Sequence, residues 1–288
     1  SSIKKYGDCD NFYFDLIQTF KSRIKDNQYY YRGKSSQDTI NKIKENGFVI
    51  IKDFFKTDII EIFQKNFDNN LLSSKKILKE RNIDYDNWVF PLYMIINFED
   101  KNELLLKINE GFKDNWFLKK YFNNHDISYV NKNLISEIKK SFLNDVISKY
   151  THNDNWSLYH DYSMARKISS GAKKKAGYSA LHQDSRIQLL DKHYLTFWIP
   201  FCKVGNQYAP TLGVIPTFCE HFYPYEYSSD NKGDLKRFLS FDDFPQECIL
   251  TPEMNVGDIW IHDSYTLHGT SYGNNYSGSR CSIDLRFF

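Results

Sequence analysis

Gly257-Asp258-Ile259-Trp260-Ile261-His262-Asp263-Ser264-Tyr265-Thr266-Leu267-His268-Gly269-Thr270 begins as a short apolar strand, predicted over Asp258 to His262, and then breaks into a turn. Runs of the same kind lie on either side of it: Trp156 to Tyr162, Tyr178 to His182, Leu195 to Phe201, Thr211 to Ile215, Cys248 to Leu250 and Cys281 to Phe288. Many short β-type runs divided by turn residues are the pattern of a sandwich or a closed barrel. Residues 156–288 are therefore predicted to form a β core, a sandwich or a barrel.

Upstream of Trp156 the periodicity is helical. Ser36, followed by Asp38-Thr39-Ile40 and Ile43, reads as a capped helix ending at Gly47, and Thr57 to Phe67 places Ile59, Ile60, Ile62, Phe63 and Phe67 on one stripe. Further helices are predicted at Glu103 to Phe112 and Ile135 to Tyr150, and a strand at Phe48-Val49-Ile50-Ile51. The fold class is thus α+β with a mainly β core and N-terminal and flanking helices. One domain is expected over 1–288: an N-terminal extension at 1–35, a mainly helical flanking region at 36–155 and the core at 156–288. Gly171 to Gly177 reads as a flexible connection, and the long, charged, turn-rich stretch 226–247 as a candidate lid between barrel strands.

Composition narrows the function classes. Hydrophobic residues make 41% and charged residues 26%, and the net charge is +2, which argues against disorder and against a dedicated nucleic-acid binder. No stretch approaches the ~20 apolar residues of a membrane span, and no signal-peptide core opens the chain. The five cysteines are scattered without a Cys-x-x-Cys pair, so neither a disulfide framework nor a zinc knuckle is expected. A soluble, cytoplasmic protein of reducing surroundings follows, with monomer as the default. Aromatic residues reach 17%, enough for a large core, and Tyr178, Phe197, Trp198, Trp260 and Tyr265 fall on or beside the strands that would wall a site.

His182-Gln183-Asp184 ends a predicted strand. In extended backbone, residues i and i+2 point the same way, so His182 and Asp184 could grip one metal ion as two-thirds of a facial triad. Eight histidines in an Asp-rich chain produce His-x-Asp by chance about once, and the second match, His152-Asn153-Asp154, lies in a turn-like polar stretch. A third ligand is expected far along the chain. His268, where a strand runs into a turn, fits that role; His262, within the strand, reads instead as a hydrogen-bonded wall histidine. Two histidines and one carboxylate leaving three open positions is the arrangement of ferrous oxygenases, whose usual cosubstrate is a dicarboxylate in need of a guanidinium. Arg280 opens the last strand and shares parity with Ser282, Asp284 and Arg286, so either arginine could face the lumen, Arg286 otherwise pairing with a carboxylate.

In order and spacing, His182-Gln-Asp184, Leu195 to Pro200, Tyr208 to Pro216, Gly257-Asp-Ile-Trp260, His268-Gly-Thr270 and Arg280 resemble the phytanoyl-CoA dioxygenase-like branch of the iron(II)/2-oxoglutarate oxygenases. Ile40-x-x-Ile43-x-x-x-Gly47-Phe-Val-Ile-Ile51 is similar to the helix and strand that open that family's domain. The resemblance implies that 156–288 is a jelly-roll core, a double-stranded β-helix of cupin-like kind, that His182, Asp184 and His268 bind Fe(II), that Arg280 and Thr270 hold the distal carboxylate of 2-oxoglutarate, and that Trp198 and Thr196 lie beside it. Pro216-Thr-Phe-Cys-Glu-His221 stands where the family has a proline-glycine-serine-histidine tail, so no role is carried over from that segment.

The activity so implied is oxidation of a C–H bond in a small-molecule metabolite, with O2 converting 2-oxoglutarate to succinate and CO2. Halogenating relatives lack the carboxylate that Asp184 supplies, so hydroxylation, desaturation or cyclisation is expected rather than chlorination. Arg186 and Gln188, by strand parity with the metal motif, and Arg166 and Arg286 are candidate substrate contacts. Two other readings stand beside this one: a cupin-type metalloenzyme that does not use 2-oxoglutarate, with Arg280 structural, and an inactive jelly-roll binding protein.

Overall fold

The computed structural model describes residues 29–65, 132–159, 163–168, 181–187, 192–218, 220, 228–229, 235–236, 249–271 and 276–288. Its strands, in chain order, are β1 (Tyr30–Tyr31), β2 (Phe48–Ile51), β3 (Met164–Ile168), β4 (Leu195–Pro200), β5 (Thr211–Val214), β6 (Ser228–Ser229), β7 (Leu235–Lys236), β8 (Ile259–Asp263), β9 (His268–Ser271) and β10 (Arg280–Phe287). The main sheet runs β1-β2-β8-β4-β10-β3, antiparallel except where β1 meets β2. A second wall is built on the antiparallel pair β5 and β9, extended on one side by a His182–His268 bridge and on the other by a Val214–Leu250 bridge. These are the two walls of the double-stranded β-helix expected from the sequence.

Alternation with a period of two gives the main sheet two different faces. Leu195, Phe197 and Ile199 of β4, Ile259 and Ile261 of β8, and Cys281, Ile283, Leu285 and Phe287 of β10 join one apolar cluster with Ile40, Ile43, Leu134, Ile138, Val146 and Ile147 from the helices. Those helices are α1 (Ser36–Asn46), α2 (Lys132–Lys139) and α3 (Leu143–Thr151). Each fully buried side chain of this kind contributes roughly 1.5–3 kcal/mol, so this outer face stabilises the fold. The inner face carries Phe48, Ile50, Trp198 and Trp260, packed against Leu212, Val214 and Met254, together with the polar residues Thr196, His262, Arg280, Ser282, Asp284 and Arg286.

Local chemistry explains the helix ends. The Ser35 hydroxyl accepts the Asp38 N–H at the start of α1, and Gly47 closes it at φ 80° with its N–H on the Ile43 carbonyl. A side chain at Gly47 would collide with the Thr217 carbonyl and the Thr266 hydroxyl, which itself donates to the Gly47 carbonyl at 2.6 Å. The single helix predicted from Ile135 to Tyr150 is two, because the Ser141 hydroxyl donates to the Ile138 carbonyl at 2.8 Å and accepts the Leu143 N–H at 3.1 Å.

Other boundaries also move. The run predicted at Trp156 to Tyr162 contributes one bridge, Leu158 to Phe287, and the strand proper begins at Met164. β1 lies inside the stretch 1–35, so the sheet starts before the predicted flanking region. Residues 57–65 are helical, as the stripe predicts. The helix predicted at Glu103 to Phe112, the connection Gly171 to Gly177, and 226–247 apart from the β6–β7 pair lie outside the described residues. Among the described residues no helix is long and apolar enough to cross a membrane.

Candidate functional site

His182 and His268 are brought together by backbone. Each donates its N–H to the other's carbonyl, at 2.8 and 3.0 Å, and their rings lie 4.5 Å apart. Two further bonds pin the 182–185 segment to the turn after β8: the Gln183 side chain donates to the Tyr265 carbonyl at 2.7 Å, and the Ser185 N–H to the Ser264 carbonyl at 3.0 Å. Asp184 then opens a helical turn, Asp184–Ile187. Strand parity therefore does not bring His182 and Asp184 together, as the sequence suggested; a bridge followed by a turn does. The same geometry removes the parity argument for Arg186, which lies in the helical turn, and Gln188 lies outside the described residues.

One ligand atom from each of His182, Asp184 and His268 falls within 4.8 Å of the others. His268 Nδ1 is 2.9 Å from the Thr266 carbonyl, which can only accept, so Nδ1 carries the proton and Nε2 keeps its lone pair for a metal. Burial, with His262 and His182 adjacent, holds the His268 imidazole well below its ordinary pKa, in the neutral form a metal requires. Burial, the largest single influence, would raise the Asp184 carboxyl, but the Arg286 charge and the neighbouring His182, His262 and His268 together outweigh it and hold the group well below the usual carboxylate range. The donor set is thus one anionic oxygen and two imidazoles, which suits ferrous iron. His182, with a side chain 17% exposed against 2% for Asp184 and 6% for His268, is the most exposed of the three.

Asp184 is tightly held. Arg286 Nε and Nη2 donate to Oδ2 and Oδ1 at 3.0 and 3.1 Å, and the Thr196 hydroxyl donates to Oδ2 at 2.9 Å. Arg286 is therefore an ion-pair partner of the carboxylate, 4.0 Å from Asp284 as well, and not the substrate contact considered from its parity. Thr196, expected beside the cosubstrate, has its hydroxyl on Asp184. His262 is a buried wall residue on β8 whose two ring nitrogens have no partner within hydrogen-bond length; its Nε2 stands 3.6 Å from Asp184 Oδ2.

Arg280, Thr270 and Trp198 meet as the sequence suggested. Arg280 is fully buried; Nη2 donates to the Thr270 hydroxyl at 3.3 Å, Nη1 to the Thr211 carbonyl at 3.4 Å, and the guanidinium lies 5.4 Å from the centre of the Trp198 ring. Thr270 follows His268 by two residues on β9, so the arginine end of the pocket lies about 7 Å along the strand from the histidine. His152 is elsewhere: it ends α3 in the left-handed conformation at φ 54°. Arg166 stands opposite Ser282 in the β3–β10 register. Tyr178 lies outside the described residues, and Phe197 belongs to the outer cluster, not to the wall of the site.

Gln183 is a contact the sequence did not single out, and Asp184 is the partner it did not assign to Thr196 and Arg286. The sequence did offer one signal for the last two, since Thr196 and Arg286 have inward parity on strands that prove to be neighbours, directly opposite each other.

Fold and cluster together define the class: a jelly-roll enzyme of the 2-oxoglutarate-dependent oxygenase kind. The chain belongs to the phytanoyl-CoA dioxygenase family, whose model matches residues 43–280. No curated protein matches it in sequence. Among solved structures it is similar to EvdO2 from Micromonospora carbonacea var. aurantiaca complexed with 2-oxoglutarate, at 13% identity and TM-score 0.51 over 89% of this chain and 92% of that one. It is also similar to HygX from Streptomyces hygroscopicus with nickel and 2-oxoglutarate bound, at 11% identity and TM-score 0.51 over 87% and 86%. At such identities the likeness shows the shared fold.

Proposed function

We propose that the protein is an iron(II)/2-oxoglutarate-dependent oxygenase that hydroxylates, desaturates or cyclises a small-molecule metabolite, with His182, Asp184 and His268 as the iron ligands. Bound there, ferrous iron supplies the O2-dependent conversion of 2-oxoglutarate to succinate and CO2, coupled to oxidation of a substrate C–H bond. The chain's own residues bind, orient and exclude water. Arg280 and Thr270 take the distal carboxylate of the cosubstrate, Trp198 packs beside it, and the apolar wall of Phe48, Trp260 and Val214 keeps the inner end dry.

The observation that carries this reading is the buried Arg280–Thr270 pair two residues along β9 from His268, a separation that a five-carbon diacid bridges. EvdO2 and HygX, each with 2-oxoglutarate bound, support the same cosubstrate. Arg280→Ala is expected to weaken 2-oxoglutarate binding at least about tenfold, the consequence of losing charged hydrogen bonds of roughly 1.5–3 kcal/mol. Isothermal titration of the anaerobic Fe(II) protein measures it. An unchanged affinity would make Arg280 structural, and a wild type that binds no 2-oxoglutarate would favour a cupin-type enzyme without it. Succinate release against a panel of metabolites identifies the substrate, for which Arg166 and Arg186 remain candidate contacts.

A further inference from the structure

His262, Thr196 and Arg286 form one row across three adjacent strands: His262 stands opposite Thr196 in the β8–β4 register, and Thr196 opposite Arg286 in the β4–β10 register. All three have inward parity, all are buried, and all reach the same carboxylate. The row treats the two oxygens of Asp184 differently. Oδ2 receives the Thr196 hydroxyl at 2.9 Å and Arg286 Nε at 3.0 Å, with His262 Nε2 at 3.6 Å behind them. Oδ1 receives Arg286 Nη2 at 3.1 Å and is the oxygen that faces the other two candidate ligands, His182 Nε2 at 3.6 Å and His268 Nε2 at 3.9 Å.

We infer that this row sets which oxygen of Asp184 the metal takes: two donors, the Thr196 hydroxyl and Arg286 Nε, occupy Oδ2, whereas Oδ1 takes one, Arg286 Nη2, and is left as the single metal-facing atom, with His262 as backing. The inference rests on the metal-site reading above. Its consequence is a count of open positions. A carboxylate binding through both oxygens would fill two of six positions and, with two imidazoles, leave two; binding through Oδ1 alone leaves three. Chelation of a 2-oxo acid together with O2 needs three. Arg286 and Thr196 are thus positioning residues, which act on the site through Asp184.

The competing explanation is a plain ion pair that fastens the 182–187 segment to β10. Both explanations expect Arg286→Met to lower stability, since removing one partner leaves a buried charge. They differ in the metal. The test is anaerobic titration of the metal-free full-length protein with Co(II), followed by its visible d–d absorption, for the wild type, Arg286→Met, Arg286→Lys, Thr196→Val and Thr196→Ser. We expect Co(II) to bind about 10–100-fold more weakly in Arg286→Met and about tenfold more weakly in Thr196→Val, the range for residues that hold a ligand in place. The d–d bands should weaken as the carboxylate turns to offer both oxygens. Arg286→Lys should restore part of the affinity and Thr196→Ser most of it.

Variants with wild-type near-ultraviolet dichroism that bind Co(II) with wild-type affinity and band shape would overturn the inference, even with a lowered melting temperature. Thr196→Val is close in shape to the native residue and decides the matter alone if Arg286→Met does not fold. A wild-type protein that takes up no Co(II) is a different result, and it removes the metal-site reading itself.

Discussion

His262 and His268 have ring centres 4.1 Å apart, yet of the two only His268 has a ring nitrogen at hydrogen-bond length from a partner among the described residues. Thr266 accepts from His268 Nδ1, whereas His262 has no partner at hydrogen-bond length. His268→Ala is therefore expected to abolish stoichiometric iron binding, while His262→Ala and His152→Ala retain it, as metal analysis of the reconstituted proteins measures. Protonation adds a second expectation for the metal-free protein. His268 is held well below 6.5, so the unfolded chain takes up this proton first and stability falls as the pH drops below about 6.5. Asp184 works at the lower end: its depressed carboxyl contributes stability that is present above about 3.8 and is lost as the pH falls through its folded value. The melting temperature of the chelator-treated protein should be lower at about pH 5.5 than at about pH 7.5. That drop should shrink in His268→Gln, and an equal drop in that variant would refute the assignment.

At the scale of elements, much of the architecture was legible in the sequence because alternation is a local signal. Arg280, Ser282, Asp284 and Arg286 could be placed on one face of the last strand before its neighbours were known. Ser36 and Gly47 likewise bracketed α1 in the sequence, although the capping hydroxyl is that of Ser35, one residue earlier. What could not be read was register. Thr196 and Arg286 reach Asp184 across 12 and 102 residues of chain, and no spacing rule says which inward positions of separate strands meet. The helical turn at Asp184, just past the predicted strand, is not legible because four residues are too few to display a period. Alternation also separates two kinds of mutation. Ile283→Ala, on the outer face of β10, is expected to cost about 2–5 kcal/mol in denaturant unfolding and to leave Co(II) affinity unchanged. A weakened metal site in that variant would mean that the two faces are not independent.

At the scale of the whole molecule, the buried aromatic residues among those described fall largely on these two faces. Phe55, Phe63, Trp156, Phe197, Phe201 and Phe287 pack the outer cluster against the helices, whereas Phe48, Trp198 and Trp260 line the space between the sheets where Arg280 and the ligand cluster sit. The fold thus places an apolar support on one side of a six-stranded sheet and a polar, buried site on the other. Ligands that bind only the folded inner face must stabilise the whole, by about 2.7 kcal/mol at a hundredfold excess over Kd. Fe(II) with 2-oxoglutarate should accordingly raise the melting temperature of the wild type and not of His268→Ala. The most direct measurement is the visible spectrum of the anaerobic protein as 2-oxoglutarate is added to its Fe(II) form. A weak metal-to-ligand charge-transfer band is expected to grow to saturation in the wild type, at higher 2-oxoglutarate in Arg280→Ala, and not at all in His268→Ala. Iron that binds stoichiometrically to the wild type while no such band develops would contradict the central claim that this site chelates a 2-oxo acid.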